Sequence, residues 1–201
     1  MSQNQIGFIG AGNMGGALLA GIQAKKPEMS TAAYDILPAA CEKAKKLGAT
    51  VYASIEELVQ ESEMIVIAVK PQYFGDVFPH IREALRERKK IISITPGFDF
   101  QYLHEKLGDN AVFTRTIPNM PAMVGAGITL MSFEEALTPQ ERQEIRGVFE
   151  CVGTVTEIPE HLLDAGMTGS SASPAFTYMY IEALADGVVA LGIPRAQAYE
   201  M

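Results

Sequence analysis

The sequence predicts an α/β fold whose mainly parallel sheet gives way, towards the C-terminal end, to helices alone. Three observations carry that expectation. Short apolar runs alternate with helical patterns over about 160 residues, as βαβ units do. Several of the runs are apolar throughout, as strands covered on both faces are. From about His161 onward no further strand is visible. The expected division is an α/β unit over residues 1–160 and the start of an all-α unit over 161–201.

The expected strands are Ile6–Ile9, Ala32–Tyr34, Met64–Val69, Ile91–Ile94 and Val112–Thr114, with Gly153–Ile158 as the last. Each is rich in Ile, Val or aromatics, and most are bounded by Gly, Pro, Asp or Lys. Helices are expected at Met14–Ala24, Pro38–Leu47, Glu56–Glu61, Phe74–Arg86 and Phe100–Leu107. Ser54 with Glu57 three residues on makes a capping box. Thr138-Pro139-Gln140-Glu141 repeats it with proline at the first helical position. Ser173 as cap and Pro174 as first residue open a long helix running from Ala175 to about Leu191, closed by Gly192-Ile193-Pro194. A second helix begins near Arg195, about a turn or so before Met201.

Of the 201 residues, 48 % are hydrophobic and 20 % charged, which is ordinary for a globular chain. A net charge of −8 with no dense Lys/Arg run speaks against nucleic acid and anionic membrane as partners. Cys41 and Cys151 match no metal spacing, so neither a metal site nor a disulfide framework is expected. No basic segment precedes a long apolar one at Met1–Ile9, and the apolar runs are too short to span a bilayer. A cytoplasmic location is the expectation.

Gly10-Ala11-Gly12-Asn13-Met14-Gly15 fits G-x-G-x-x-G between a strand-like run and an amphipathic helix with Leu18, Leu19 and Ile22. That is the context a Rossmann dinucleotide fingerprint requires. Gly10 permits the tight turn, Gly12 the approach of a pyrophosphate, and Gly15 close packing of helix on strand. The helix start offers N–H groups to phosphates. Asp35 ends the second apolar run, about 20 residues on, where an acid accepts from a ribose hydroxyl. It should repel a 2′-phosphate, so NADH is expected to be tolerated alongside NADPH.

Three later blocks are more specific. Ala68-Val69-Lys70-Pro71-Gln72 ends the third strand. Arg115-Thr116-Ile117-Pro118-Asn119-Met120-Pro121-Ala122 follows the fifth, with Val124-Gly125-Ala126-Gly127 just after. Ser170-Ser171-Ala172-Ser173-Pro174-Ala175-Phe176 leads into Ile181-Glu182-Ala183-Leu184-Ala185-Asp186-Gly187. With the glycine motif, these resemble the signature blocks of 1-pyrroline-5-carboxylate reductases, in order and over essentially the whole chain.

The resemblance carries the ribose and nicotinamide side of a dinucleotide to Ala68, Val69, Lys70 and Pro71; with Gly10 to Gly15, Asp35 and Asn119, read from their own chemistry, these are the expected cofactor residues. Independently, ligands bind outside the carboxyl ends of parallel strands. Two prolines stiffen the loop that presents Asn119. The resemblance assigns Ser170, Ser171, Ser173, Pro174 and Ala175 to the substrate carboxylate; read alone, they are a hydroxyl-rich helix N-terminus suited to an anion. The chain departs from the common Ser-Gly-Ser-Gly-Pro-Ala form: both glycines are serine and the middle serine is Ala172. Met179 stands where some relatives have a threonine near the substrate nitrogen.

The implied reaction is reduction of 1-pyrroline-5-carboxylate to L-proline with NAD(P)H, the last step of proline biosynthesis. No general acid is evident. His80, His104 and His161 read as surface residues, and Glu182 is only a weak candidate for the imine nitrogen. Two other readings stand beside this one. A β-hydroxyacid-dehydrogenase-type enzyme opens with a similar turn, but would carry a catalytic lysine on the long helix, and Pro174–Leu191 has none. The other is a non-enzymatic dinucleotide-binding regulator. Apolar residues on several faces of that helix predict burial against another copy, as a homodimer or larger homo-oligomer. The resemblance also implies further helices after Met201, so a truncated chain with little activity is expected.

Overall fold

Alternation of β-branched strands with amphipathic helices yields the expected sheet. The computed structural model describes residues 4–201. The strands are β1 (Asn4–Ile9), β2 (Thr31–Tyr34), β3 (Thr50–Val51), β4 (Ser62–Ile67), β5 (Lys89–Ser93), β6 (Ala111–Pro118), β7 (Gly127–Phe133) and β8 (Gly153–Glu157). The helices between them are α1 (Asn13–Lys25), α2 (Pro38–Lys46), α3 (Ile55–Gln60), α4 (Phe74–Ala84), α5 (Phe100–Leu107) and α6 (Pro139–Phe149). One sheet runs β3-β2-β1-β4-β5-β6-β7-β8. Every neighbouring pair is parallel except β6 with β7, which is antiparallel. Strand order reverses between β1 and β4, where a doubly wound sheet opens a crevice.

The all-apolar strands have the cause inferred for them. In β4, Met64 and Val66 face Leu18, Leu19 and Ile22 of α1 and Ile145 and Phe149 of α6. Ile65 and Ile67 face Leu58 of α3, Phe74, Phe78 and Ile81 of α4, and Leu103 of α5. Both faces of the sheet are therefore covered, and period-two alternation is lost. Both capping boxes have their backbone anchor. Ser54 accepts from the Glu57 N–H at 3.2 Å, and Thr138 from the Glu141 N–H at 3.2 Å with the Glu141 carboxylate returning to the Thr138 N–H at 2.9 Å.

Two strands were not expected. β3 has two residues, too few for any periodic signal. β7 carries Thr129 and Ser132 among its apolar residues, and both are buried between β6 and β8. The polar pair broke up the apolar run that marks a covered strand. The expected strand Met64–Val69 stops at Ile67, so Ala68, Val69 and Lys70 leave the sheet as its carboxyl-end loop.

The C-terminal part is helical: α7 (Leu163–Met167), a π-helical turn at Thr168–Ala172, α8 (Ser173–Ala190) and α9 (Arg195–Glu200). Here the expectation of a capped helix start at Ser173 and Pro174 is corrected. Ala172 and Ser173 are already helical, with φ/ψ of −81/−43° and −59/−37°, and the backbone runs through the π turn without a break. The cause is Pro174. It has no N–H for the carbonyl of Ser170, and its ring would crowd that carbonyl in a regular α turn. Widening to a π turn relieves the crowding. No helix among the described residues is long and apolar enough to cross a membrane.

Candidate active site

Two cavities open at the carboxyl end of the parallel strands. The first, of about 630 Å³, lies at the β1/β4 switch point. Gly10 has φ +100°, and a Cβ there would sit 2.6 Å from the Ala68 carbonyl oxygen. A Cβ at Gly15 would sit 2.1 Å from the Gly10 carbonyl oxygen, while one at Gly12 would meet nothing within 4 Å. The three glycines thus divide as the fingerprint requires: two for close packing, one leaving open space beside the start of α1. That open space, backed by N–H groups at a helix start, fits a pyrophosphate.

Of the residues expected at a cofactor, Gly10, Gly12, Asn13, Met14, Asp35, Ala68, Val69, Lys70 and Pro71 line this cavity. Ala11 and Gly15 are buried in the turn beneath it. The Asp35 carboxylate accepts from the Ala11 N–H at 2.8 Å and from the Leu37 N–H at 2.9 Å, tying the glycine turn to the loop after β2. Each oxygen keeps a lone pair for a further donor. Beyond the residues expected there, Tyr34, Ile36, Leu37, Tyr73, Asp76, Thr95 and Pro96 line it, with the apolar Ile9, Val77 and Ile94. The rule that ligands sit outside strand ends would have found Thr95 and Pro96, which follow β5. Thr95 Oγ1 donates to the Val69 carbonyl at 3.0 Å and fixes the loop after β4. The charged residues of the lining are Asp35, Asp76 and Lys70.

The second cavity, of about 550 Å³, is lined by Asn119 and Pro121 from the β6–β7 connection, by Ile128 at the start of β7, and by Gly169, Ser170, Ser173, Pro174, Thr177 and Tyr178 from the π turn and α8. Of the residues expected at a substrate, Ser170, Ser173 and Pro174 are present, whereas Ser171 and Ala175 are outside the lining. Asn119, expected at the cofactor, lies here instead. Its Nδ2 donates to the Ser170 carbonyl at 2.8 Å, and its Oδ1 accepts from the Ile128 N–H at 2.9 Å. Asn119 therefore takes the carbonyl that Pro174 leaves without a helical donor. Ser170 Oγ donates to the Gly166 carbonyl and Ser173 Oγ to the Thr168 carbonyl, so each hydroxyl still has lone pairs but has spent its proton within the helix. Thr177 and Tyr178 were missed because the loop was read as ending at Ala175.

Glu182 lies outside both linings and faces the Tyr199 hydroxyl at 3.5 Å. The histidines are not uniformly surface groups. His80 pairs with Glu56 in the open, and the Glu56 carboxyl is held below its ordinary range first by a backbone N–H and then by His80. His104 is half-buried, edge-on to Phe113, and bonded to Glu134. Its place on α5 against the end of β7 is long-range, which sequence spacing does not reveal.

Residues 5–97 match the family described as NADP oxidoreductase coenzyme F420-dependent, and residues 160–201 match pyrroline-5-carboxylate reductase dimerisation. The chain is 33 % identical to the pyrroline-5-carboxylate reductase of Escherichia coli strain K12, over 98 % of this chain and 75 % of that one. It is 34 % identical to the enzyme of that name from Methanosarcina acetivorans, over 98 % and 74 %. Among solved structures, the pyrroline carboxylate reductase of Plasmodium falciparum with NADP bound superposes with a TM-score of 0.86 at 30 % identity, covering 100 % of this chain and 74 % of that one. With its glycine cradle and serine-lined cavity at the same end of the sheet, the chain belongs to the pyrroline-5-carboxylate reductase family.

Proposed function

We propose that this chain reduces 1-pyrroline-5-carboxylate to proline, with a nicotinamide dinucleotide as the hydride donor. The observation that carries the reading is the placement of two complementary cavities at one end of the sheet: a glycine-cradled cleft behind β1 and β4, and a small serine-lined pocket behind β6. The cofactor, when bound, supplies the hydride; the chain's own residues align, enclose and discriminate. Gly10, Gly12 and the start of α1 hold the pyrophosphate, Asp35 the adenosine ribose, and the loop Ala68–Pro71 the nicotinamide end. Ser170, Ser173 and Thr177 surround the substrate carboxylate, their hydroxyls turning from the Gly166, Thr168 and Ser173 carbonyls to which they donate within the helix. An imine that arrives protonated is already electrophilic, so no general acid is needed from the protein. The lysine that a β-hydroxyacid-dehydrogenase-type chemistry would call for is missing from α8.

The same reading extends to three finer points. NADH is accepted: Asp35 lines the cleft where the adenosine ribose is proposed to lie, and a 2′-phosphate there would face like charge. Residues 1–160 act as the dinucleotide unit and 161–201 as part of the substrate and dimerisation unit. Finally, α8 is covered by a second copy, since Phe176, Tyr178, Met179, Tyr180 and Leu184 are each at least half exposed in one chain. The deciding experiment follows oxidation of reduced nicotinamide by the purified protein with and without pyrroline-5-carboxylate. Turnover that requires this imine supports the reading. Saturable cofactor binding with no substrate-dependent oxidation would replace it with the regulatory one.

A further inference from the structure

Arg115 lies on β6 with its side chain 7 % exposed, a charge taken almost wholly out of water. Its Nη1 donates to Glu160 Oε1 at 3.0 Å, and its Nε is buried with no partner among the described residues. The same Glu160 oxygen accepts the Phe100 N–H at 2.7 Å. One carboxylate oxygen thus joins three segments. Phe100 is the first residue of α5, and the stretch just ahead of it, Ile94 to Pro96, lines the cofactor cleft. Glu160 opens the short 3-10 turn Glu160–Leu162, which runs directly into α7, the π turn and α8, the wall of the serine-lined pocket. Arg115 itself stands three residues before Pro118, at the end of the strand that delivers Asn119 to that pocket.

We propose that Arg115 and Glu160 are positioning residues that set the two cavities at the separation hydride transfer requires, without touching either ligand. The inference rests on the reductase reading above. Arg115 is buried while Glu160 is 30 % exposed, so desolvation of the guanidinium offsets much of the attraction, and what the pair contributes is a fixed geometry rather than stability. Geometry is what this reaction needs: hydride transfer falls steeply when donor and acceptor move apart, and a misplacement of about 1 Å costs on the order of 10²-fold. Arg115 and Glu160 both lead to walls of the serine-lined pocket, and the Phe100 N–H on the same Glu160 oxygen leads to the cofactor cleft, so loosening this three-way junction changes the separation of the cavities before it changes either lining.

The test replaces the pair by neutral groups of similar size, Arg115→Met/Glu160→Met, which leaves no unpaired charge and releases the Phe100 N–H that ties the cofactor-cleft segment to the pocket wall. Saturating kcat is expected to fall on the order of 30- to 100-fold. The dissociation constant for NADH, read by the change in the cofactor's own fluorescence on binding, should stay within about threefold, since no cleft residue changes. The primary isotope effect on kcat with 4-deuterated NADH should rise as the chemical step becomes limiting. Parent kcat in the double variant overturns the proposal. So does a fall in kcat that only tracks a lowered folded fraction, with an unchanged isotope effect. If the double variant does not fold, Arg115→Lys, which retains the charge, is read the same way and should lie between parent and the expected loss. A parent protein that turns over no pyrroline-5-carboxylate defeats the reductase reading, and this inference with it. An active parent with an equally active variant defeats this inference alone.

Discussion

The carboxylate of Asp35 braces the glycine turn through Ala11 and the α2 approach through Leu37, while its remaining lone pairs face the cleft. Its removal should therefore change cofactor choice and soften the turn together. In Asp35→Ser the ratio of kcat/KM for NADPH over NADH is expected to rise about tenfold or more, as the like charge facing a 2′-phosphate is relieved. Parallel measurements with both cofactors check this, and an unchanged ratio would remove Asp35 from ribose recognition. Asn119 makes a contrasting case. Its presence in the site was legible as a proline-flanked amide, but its partners were not, because the Ser170 carbonyl it binds is released only by the π turn 51 residues away. Asn119→Ala strands that carbonyl and the Ile128 N–H. It should cost about 2–3 kcal/mol in urea denaturation and raise KM for the imine, with the cofactor dissociation constant unchanged. A weakened cofactor and an unaffected KM would return Asn119 to the nicotinamide.

At the scale of elements, the π turn between α7 and α8 exists because proline sits inside a continuous helix. Pro174→Ala restores the missing donor and removes the ring, so the turn should relax to α geometry and compete with Asn119 for the Ser170 carbonyl. Thermal stability is then expected to hold or rise, since alanine is favoured over proline within a helix by about 3 kcal/mol. KM for pyrroline-5-carboxylate should rise as Ser170 and Ser173 rotate from the pocket. Unchanged KM in a stabilised variant would show that the pocket does not depend on the π turn. Serine followed by proline reads as a helix start in any local view, which is why the sequence reading placed a cap there.

Helix α6 offers a pH-dependent counterpart on the far side of the sheet. The Glu141 carboxyl is pushed down to about 2, chiefly by its bond to Arg88 and then by the Thr138 backbone and hydroxyl. A carboxyl with a folded pKa below its unfolded value stabilises the fold fully above pH 4.5 and loses that contribution as pH falls towards about 2. Because Arg88 is 49 % exposed, solvent screens the pair. Glu141→Gln should cost about 1–2 kcal/mol at neutral pH and only a small part of that near pH 2, where the parent carboxyl is half protonated. Denaturation of parent and variant across that range checks the convergence; a constant gap would locate the benefit in the cap alone.

For the whole molecule, the open faces of α8 set the expected mass in solution. Sedimentation should give a dimer or larger, and Ile181→Glu should shift it towards monomer by burying charge in the contact. A monomeric parent would require some other cover for Phe176 and Leu184. The doubly wound core was readable in sequence because each strand's apolar run and each helix's stripe report burial locally. β7 was not, since its Thr129 and Ser132 are polar and are buried by neighbours that only the folded sheet supplies.

The two linings share no residue: the glycine-cradled cleft draws on the ends of β1, β2, β4 and β5 and the segments after them, the serine-lined pocket on the β6–β7 connection, the start of β7, the π turn and α8. Descendants of such a chain can drift at one without trespassing on the other. A lineage moved to a habitat with a different balance of reduced cofactors can exchange Asp35 and its neighbours while inheriting its substrate unaltered. The effects of Asp35→Ser and Ser170→Ala on kcat/KM should accordingly multiply, within the error of independent distant sites, about 0.5 kcal/mol.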